Sequence, residues 1–463
     1  MQAFAAYSLF SQSILIVLLS SVFALCAACA FRILLRIKPV GNEKMNAVAK
    51  VIRSVALRFL GKEIAVVCVF LLAAALPIYL WIDTGWAGVQ AGRWQLPWTT
   101  GSFLLGALVT FLGAFVVVQT STAATLRVTQ AARTSFTQAF RIVLLSASTT
   151  GFFIAGIGVF GLAGLLFGLL EWGEVTLGAS LQMLVAFTAG VSTVALFLRL
   201  SGGLFAKAAD MSADIAGKAE ASMGDDDPRN PAVIADHAGD HLAGVVATST
   251  NLLDNFILAV VAAMFLGVSA DLGRLGSNIA VLYPLFIVAL AIVTSILGIL
   301  AIRIKKGSEN IFGPLRNGTV VALLLLVLGS FFVGRAFLPS SESLSVFIAL
   351  VSGILAGTII QLLAEHALTQ GSSTVRSLAL TAQTSASTLI LRGLFLGHIS
   401  TFIPVFFVVL AVILANINAG LFGIAMGAVG MLATLGMHVL LMNVGPVGDG
   451  ANGIAELAAL PKQ

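Results

Sequence analysis

VLLSASTTGFFIAGIGVFGLAGLLFGLL, residues 143–170, contains no charged side chain, and Arg141 and Glu171 lie on either side of it. A helix needs about 20 apolar residues to cross the hydrocarbon core of a bilayer, and it satisfies its own backbone hydrogen bonds there. The rest of the chain has the same character, since 59% of its 463 residues are hydrophobic, 10% are charged and the mean hydropathy is +1.05. Soluble domains carry roughly a quarter charged residues, so the composition predicts an all-α, polytopic membrane helix bundle.

The hydrophobic stretches predict eleven transmembrane helices in a single transmembrane domain that covers residues 1–463. These helices are expected near residues 11–35, 64–82, 102–126, 143–170, 181–198, 242–268, 279–302, 320–337, 344–363, 399–417 and 419–442. The many glycines and alanines within them indicate close packing between helices.

Lysines and arginines are concentrated in alternate connections between these helices. The connection 32–63 holds Arg32, Arg36, Lys38, Lys44, Lys50, Arg53, Arg58 and Lys62, whereas the intervening loops hold only Arg93, Arg274 and Arg335. The positive-inside rule therefore predicts an outside N-terminus, a cytoplasmic C-terminus and a location in the cell inner membrane. The net charge of +5 reflects this topology, and it does not indicate a nucleic-acid partner.

The connection over residues 201–241 differs in composition from the others, because acidic and basic side chains recur there at helical spacing. Lys207, Asp210, Asp214 and Lys218 are three or four residues apart, which predicts one stripe along a helix. Asp236 and Asp240 repeat the step of four, after a segment in which Pro228 and Pro231 predict a turn.

Two interpretations of this acidic connection are open. Charge runs usually belong to a solvated loop. However, crowded carboxylates repel one another unless cations neutralise them. Carboxylate oxygens on a cytoplasmic face suit Mg²⁺, which binds through few carboxylates together with waters and substrate phosphates. The spacing therefore favours a site for a magnesium-bound phosphate anion.

Three segments carry a resemblance to a known family. SGGLFAKAADMSADIAGKAE, residues 201–220, resembles the signature of the membrane-integral, ion-translocating pyrophosphatases. DDDPRNPAVIAD, residues 225–236, is similar to the second block of that family. GPVGDGANGIAE, residues 445–456, resembles the acidic block after its eleventh helix, and we expect residues 445–461 to form a second acidic loop.

The resemblance implies a sixteen-helix, usually homodimeric pump, which hydrolyses cytosolic pyrophosphate with Mg²⁺ and moves H⁺ or Na⁺ out of the cytoplasm. It implies that Lys207 and Lys218 belong to the pyrophosphate-binding site, with Lys218 and Glu220 as structural and electrostatic partners. The Mg²⁺ ligands that it implies are Asp210, Asp214, Asp225, Asp236, Asp240 and Asp449.

Several residues depart from the family pattern. Gly244 stands where a carboxylate would help to activate the attacking water, so we assign no catalytic residue. His237 and His241 replace two asparagines, and Met442 and Gly450 stand where the family has Asp and Asn. The chain stops at Gln463, where the resemblance implies five further helices with a second acidic cluster. We therefore expect poor hydrolysis from this chain alone, and either a homodimer or a complementary C-terminal half as partner.

The expected ion path also departs from the family. Asn251 replaces an intramembrane Asp, and Asp254 lies one turn further along the same helix. A lone intramembrane acid indicates function by default, and the alternative is a protonated carboxyl bonded to Asn251 or Asn255. An arginine that the family places in its fifth helix aligns with Leu145.

Two further choices stay open at this stage. His237 and His241, spaced i, i+4 beside two aspartates, form either a transition-metal site or polar replacements for asparagine. The chain itself is either a pyrophosphate-energised pump or a non-catalytic relic retained as a membrane partner subunit. The cation, H⁺ or Na⁺, and any stimulation by K⁺ are not predicted.

Overall fold

The computed structural model describes residues 2–84, 96–219, 223, 227, 229–269, 276–304, 311–368 and 372–460. Its helices are α1 (Gln2–Arg36), α2 (Glu43–Ile78), α3 (Trp98–Ala132), α4 (Phe136–Glu171), α5 (Leu177–Ala219), α6 (Pro231–Asp240), α7 (Thr248–Ser269), α8 (Gly276–Leu300), α9 (Phe312–Phe337), α10 (Ser340–Leu368), α11 (Ser373–Ala382), α12 (Ala386–Leu432) and α13 (Leu435–Leu457). π-helical segments follow α2 at Tyr79–Asp83 and join α6 to α7 at His241–Ala247. These ranges contain no strand, which confirms the all-α prediction.

Ten helices within the described ranges are long and apolar enough to cross a membrane. Each of the first ten predicted spans overlaps one of them, but the eleventh, 419–442, does not form one helix. The backbone leaves the helical conformation at Ala419 and Gly420, and Gly420 has a φ of +57° that favours glycine. A turn at residues 433–434 then separates α12 from α13. The first break lies at the predicted boundary between spans 399–417 and 419–442, and hydropathy joins only the residues on either side of the turn at 433–434, because both sides are apolar.

The chain divides into two compact units, and the prediction of a single domain stays a prediction. The first unit comprises Met1–Val261, Val288–Leu326 and Thr434–Gln463, and the second comprises Ala262–Ile287 and Val327–Ala433. Every candidate site residue that the structure describes lies in the first unit.

Glycines allow close contacts between helices within each unit. In the first unit, a Cβ added to Gly106 of α3 would lie 2.0 Å from the carbonyl oxygen of Phe187 on α5, and one added to Gly190 of α5 would lie 1.9 Å from that of Phe103. In the second unit, a Cβ on Gly353 would lie 1.8 Å from a carbonyl oxygen of α12. The predicted role of small residues in helix packing is confirmed.

The helix α5 carries the predicted acidic stripe on an extension of a membrane-length segment. It has 43 residues, which at 1.5 Å per residue gives about 65 Å, roughly twice the thickness of a bilayer's hydrocarbon core. Its C-terminal part therefore extends beyond the apolar segment 181–198, and Lys207 to Lys218 lie on this extension.

Candidate functional site

The acidic patch is defined here by Lys207, Asp210, Asp214 and Lys218 of α5 together with Asp236 and Asp240 of α6. On α5, Lys207 Nζ lies 2.5 Å from Asp210 Oδ2, and Lys218 Nζ lies 3.4 Å from Asp214 Oδ2. The four side chains are 44–72% exposed. The predicted stripe on α5 is confirmed, and its charged atoms are open to a ligand from solution.

Asn230 fixes α6 to the stripe on α5. Its side-chain oxygen caps α6 by accepting a hydrogen bond from the backbone N–H of Ala232 at 3.0 Å, and its amide donates to the carbonyl oxygen of Ala213 at 2.9 Å. Pro231 occupies the first turn, where its missing N–H costs no helix bond. One buried side chain therefore starts α6 and ties it to α5.

Close backbone contact holds the rest of α6 against the same helix. A Cβ added to Gly239 would lie 2.6 Å from the Cα of Ala206, the residue before Lys207. Asp240 follows Gly239 directly and is exposed, and Asp236 is half-buried one turn earlier. Both acids of α6 therefore lie beside the stripe on α5.

Between the two helices, Arg229 and Asp227 form an ion pair. The guanidinium and the backbone N–H of Arg229 donate to the Asp227 carboxylate, with Nη2 2.6 Å from Oδ2. These bonds lower the pKa of the Asp227 carboxyl from 3.8 to about 2. The predicted ligand Asp225 and its neighbour Glu220 lie outside the described residues.

Helix α13 adds Asp449 to this end of the first unit. Gly450, the next residue, faces His241, since a Cβ added to Gly450 would lie 2.5 Å from His241 Nε2. His241 in turn follows Asp240 in the chain. Asp449 as a whole residue is exposed, but neighbouring atoms remove part of the hydration of its carboxyl group, and this desolvation raises the pKa of Asp449. A nearby cation would oppose this shift by favouring the charged form.

Another surface of the segment 236–247, formed by His237, His241 and Gly244, packs against α13. We call this contact with α13 the seam. A Cβ added to Gly453 would lie 2.4 Å from His237 Cε1. No described group is within hydrogen-bond reach of His237 Nε2 or of His241 Nδ1, and both atoms are buried. The His241 ring therefore occupies the space beside Gly450, and the His237 ring occupies the space beside Gly453. The sequence did not predict that these histidines pack against these glycines.

Gly244 lies in the same seam. A Cβ at this position would lie 3.0 Å from Cγ and 3.1 Å from Cβ of Pro446 on α13. It also lies in the π-helical segment, so the α-helical step of four from Asp240 does not continue through it. The proline ring therefore occupies the side of Gly244 on which a carboxylate side chain would begin.

The described residues contain no group of three His, Cys, Asp or Glu side chains arranged to hold a metal ion. The acids of the patch supply hard oxygen donors, and they are exposed rather than closed into a cage. This donor set fits Mg²⁺, which keeps several waters and is shared with substrate phosphates, better than a structural metal. Neither histidine of the seam is joined to two further ligands in this part of the chain.

The predicted ion-path residues have partners other than those expected. The Ser192 hydroxyl of α5 donates to the Asp254 carboxylate, so the partner is neither Asn251 nor Asn255. Arg199 Nη1 donates to Asn251 Oδ1 at 3.3 Å. The alignment of a fifth-helix arginine with Leu145 is wrong, because that leucine lies on α4 in an apolar cluster and Arg199 lies on the fifth helix.

The sequence also did not predict a buried polar contact that joins α13 to α4 and α7. Asn443 of α13 is fully buried, and its amide donates to Thr150 Oγ1 of α4 at 2.9 Å and to Ser249 Oγ of α7 at 3.2 Å. Buried amides need such partners. The only sequence signal was a lone asparagine within an apolar run, which by itself did not indicate which helices it joins.

Comparison with known proteins gives consistent matches along this chain. The family model described as "Inorganic H+ pyrophosphatase" matches residues 22–463. The chain is 32% identical to a putative K(+)-stimulated pyrophosphate-energized sodium pump of Bacteroides thetaiotaomicron, over 95% of this chain and 62% of that protein. It is 29% identical to a K(+)-insensitive pyrophosphate-energized proton pump of Methanosarcina mazei, over 91% and 60%. A K(+)-stimulated sodium pump of Thermotoga maritima is 30% identical, over 94% and 63%. The chain spans about three fifths of the length of these curated relatives.

Proposed function

The chain belongs to the inorganic H⁺ pyrophosphatase family, and from this membership we propose that it takes part in pyrophosphate-energised transport of H⁺ or Na⁺ across a membrane. The acidic patch is the proposed binding site for magnesium pyrophosphate. The observation that carries this assignment is the pairing of α5 with α6 through Asn230 and Gly239, which sets two acid-bearing helices side by side.

Each group of the patch has a role that its chemistry supports. Lys207 and Lys218 would supply point charges to phosphate oxygens. The proposed Mg²⁺ ligands, direct or through water, are Asp210, Asp214, Asp225, Asp236, Asp240 and Asp449. Bound Mg²⁺ would neutralise the substrate anion and the leaving phosphate. The ion pairs within the stripe keep each lysine beside a carboxylate until a more highly charged anion arrives.

Activation of water needs a group from outside the seam. General-base help is worth roughly 10²–10⁴ in rate, and Gly244 provides no base while Pro446 occupies the adjoining space. We therefore assign substrate binding to the patch and the proton-accepting group to residues beyond those that the patch contains. A second copy of the chain or a complementary C-terminal segment is the proposed source.

The ion path that we propose runs past Asn251 and Asp254, where Arg199 and Ser192 of α5 supply hydrogen-bond donors. An intramembrane acid of this kind usually marks an ion or proton pathway. The relatives are named as sodium pumps and as proton pumps, which favours transport over a non-catalytic relic and leaves the cation to experiment.

The first test separates substrate binding from hydrolysis. Binding is measured as the rise in melting temperature of the detergent-purified chain with Mg²⁺ and imidodiphosphate, a non-hydrolysable pyrophosphate analogue. We expect a rise for the wild type and for Ser212→Ala, an exposed α5 position between the two acids, but none for Asp210→Ala. Equal rises in all three proteins would refute the assignment of the patch.

Hydrolysis is then measured as Mg²⁺-dependent phosphate release from pyrophosphate by membranes containing the chain, with Asp210→Ala as the control. Release above the control supports the pump. Binding without release would mean that the patch holds substrate but that the base is absent from the membranes tested. Absence of both binding and release would remove the proposed function.

A further inference from the structure

Four arginines line a cavity of about 410 Å³ in the first unit. Arg32 and Arg36 come from the end of α1, Arg53 comes from the first half of α2, and Arg127 comes from the last part of α3. Gln119 and Thr120 of α3 complete its polar lining. Three separate helices therefore direct cationic side chains into one space.

Two of these arginines have neutral hydrogen-bond partners. Arg32 Nη2 donates to Gln119 Oε1 at 3.1 Å, and Arg127 Nη1 donates to the carbonyl oxygen of Ala123 at 2.7 Å. Arg127 Nε is buried, and no described acceptor lies within hydrogen-bond reach of it. Among the described residues, no carboxylate forms an ion pair with any of the four arginines.

Such an arrangement is unfavourable without an anion. Like charges placed together in a cavity repel each other, and the half-buried guanidinium groups of Arg32, Arg53 and Arg127 lose part of their hydration there, whereas Arg36 is exposed. The cationic lysines of the acidic patch have carboxylates three or four residues away, so they do not share this problem. The cavity is therefore a cationic site whose counter-charge is external to the described chain.

We propose that this cavity binds a phosphoryl anion, supplied either by an anionic phospholipid headgroup or by free phosphate. Arginine forks match phosphate oxygens geometrically, and an unbonded N–H such as Arg127 Nε is suited to one of them. Basic pockets between transmembrane helices are recurrent sites for anionic headgroups. The site contains no acid, so it needs no metal, unlike the acidic patch on α5 and α6.

The position of the cavity gives a bound anion a structural route to the acidic patch. Helix α2 contributes Arg53 to the cavity and packs against α3, and it also packs against α6 and α5. On the α5 contact, the rings of Phe59 and Phe205 stack with centroids 4.4 Å apart, two residues before Lys207. An anion that neutralises the arginines would thus hold a helix that contacts the patch.

The test measures direct binding to the detergent-purified full chain in EDTA, which removes the metal that the acidic patch requires. One arm uses dioctanoyl phosphatidylglycerol with the phosphatidylcholine analogue as its control, and the other uses inorganic phosphate at constant ionic strength. Because a surface arginine contributes about fivefold to affinity for an anionic lipid, we expect Arg53→Gln and Arg127→Gln each to weaken binding about fivefold. Arg133→Gln, an exposed arginine at the end of α3, should leave it unchanged.

The two arms identify the ligand source. Binding of phosphatidylglycerol alone assigns a lipid headgroup, and binding of phosphate in EDTA assigns a free anion. If Arg127→Gln does not fold, Arg36→Gln replaces it, since that side chain is more exposed. The proposal is overturned if neither ligand binds, if phosphatidylcholine binds equally, or if the folded cavity variants bind as the wild type does. Because imidodiphosphate binding at the patch is measured separately with Mg²⁺, failure here leaves the proposed function intact.

Discussion

The α6 part of the acidic patch and the seam are two faces of the same short segment, 236–247, and the two faces differ in what they contact. Asp236 and Asp240 lie on the accessible face, whereas His237 and His241, one residue further on, pack against α13. Successive helical residues are about 100° apart, so a step of one residue moves a side chain from one face to the other. The proposed ligand residues of α6 therefore lie on a different face from the one that packs against α13.

Two departures from the family pattern that meet in the seam, His241 and Gly450, compensate each other in volume. His241 is larger than the asparagine that the resemblance implies there, and Gly450, which it contacts, is smaller than the asparagine implied at that position. Volume-conserving exchanges are the ones that packed interiors tolerate best. His237 also packs closely against a glycine, Gly453. Residues that look degenerate one at a time are complementary in space.

The largest expected effect comes from filling the space beside Gly450. Gly450→Asn adds a side chain whose Cβ would lie 2.5 Å from the buried His241 ring, so we expect a loss of about 3 kcal/mol in unfolding free energy. The measurement is thermal unfolding of the detergent-purified protein. Gly448→Ala is the matched control, because no described atom outside its own helix lies within 4 Å of a Cβ there.

The double variant His241→Asn with Gly450→Asn tests whether the two positions are coupled. Since the smaller side chain vacates the space beside position 450, we expect it to recover most of the lost stability. If the double variant is as unstable as the sum of the two single variants, the two positions do not compensate each other and the comparison fails.

Restoring a carboxylate at position 244 has the next largest effect. Gly244→Asp would press its Cβ against the ring of Pro446 at 3.0 Å, so we expect a loss of about 2 kcal/mol and no gain in pyrophosphate hydrolysis. Pro446→Ala removes the ring and should recover stability in the combined variant. A full gain of hydrolysis from Gly244→Asp alone would show that the proline does not block this side of the site.

The parts of the site that depend on local spacing could be predicted from the sequence. The stripe on α5 follows from steps of three and four in an uninterrupted helix, and the start of α6 follows from Asn230 and Pro231. Both rest on contacts within a turn or two of one helix, which the helical period fixes. The membrane-spanning helices could be predicted too, because each one is a continuous apolar run in the local sequence.

Contacts between distant segments were not predictable in this way. Nothing in the local sequence pairs His241 with Gly450, Arg199 with Asn251, or Asn443 with Thr150. The π-helical turn at 241–247 also shifts the register, so a step of four from Asp240 no longer marks the same face. The break at Ala419 and Gly420 lies at the predicted boundary between the spans 399–417 and 419–442, whereas the turn at 433–434 was not predicted because both of its sides are apolar.

A smaller loss of unfolding free energy is expected from substitution of Asn230, which joins the two helices of the acidic patch. Asn230→Ala removes the cap of α6 and the bond to Ala213, and we expect a loss of about 1–2 kcal/mol. Asn230→Asp is the matched variant, because its carboxylate keeps the cap but cannot donate to Ala213. If the tie between the helices shapes the patch, both variants should weaken imidodiphosphate binding. Weakening by Asn230→Ala alone would assign the effect to the cap.

The smallest effect is the pH dependence of the Asp227–Arg229 pair, which lies between the two helices of the patch. The folded-state pKa of Asp227 is lowered from 3.8 to about 2, so the pair stabilises the protein above the unfolded-state value and this contribution is lost as the pH falls toward 2. Asp227→Asn should therefore melt slightly below the wild type from pH 5 to 7, and the difference should shrink below pH 4. Arg229→Gln should give the same profile, because it removes the other half of the pair. A melting difference that stays constant from pH 7 to pH 3 would mean that the pair does not order this connection, and that Asn230 and the contact at Gly239 join α6 to α5 without it.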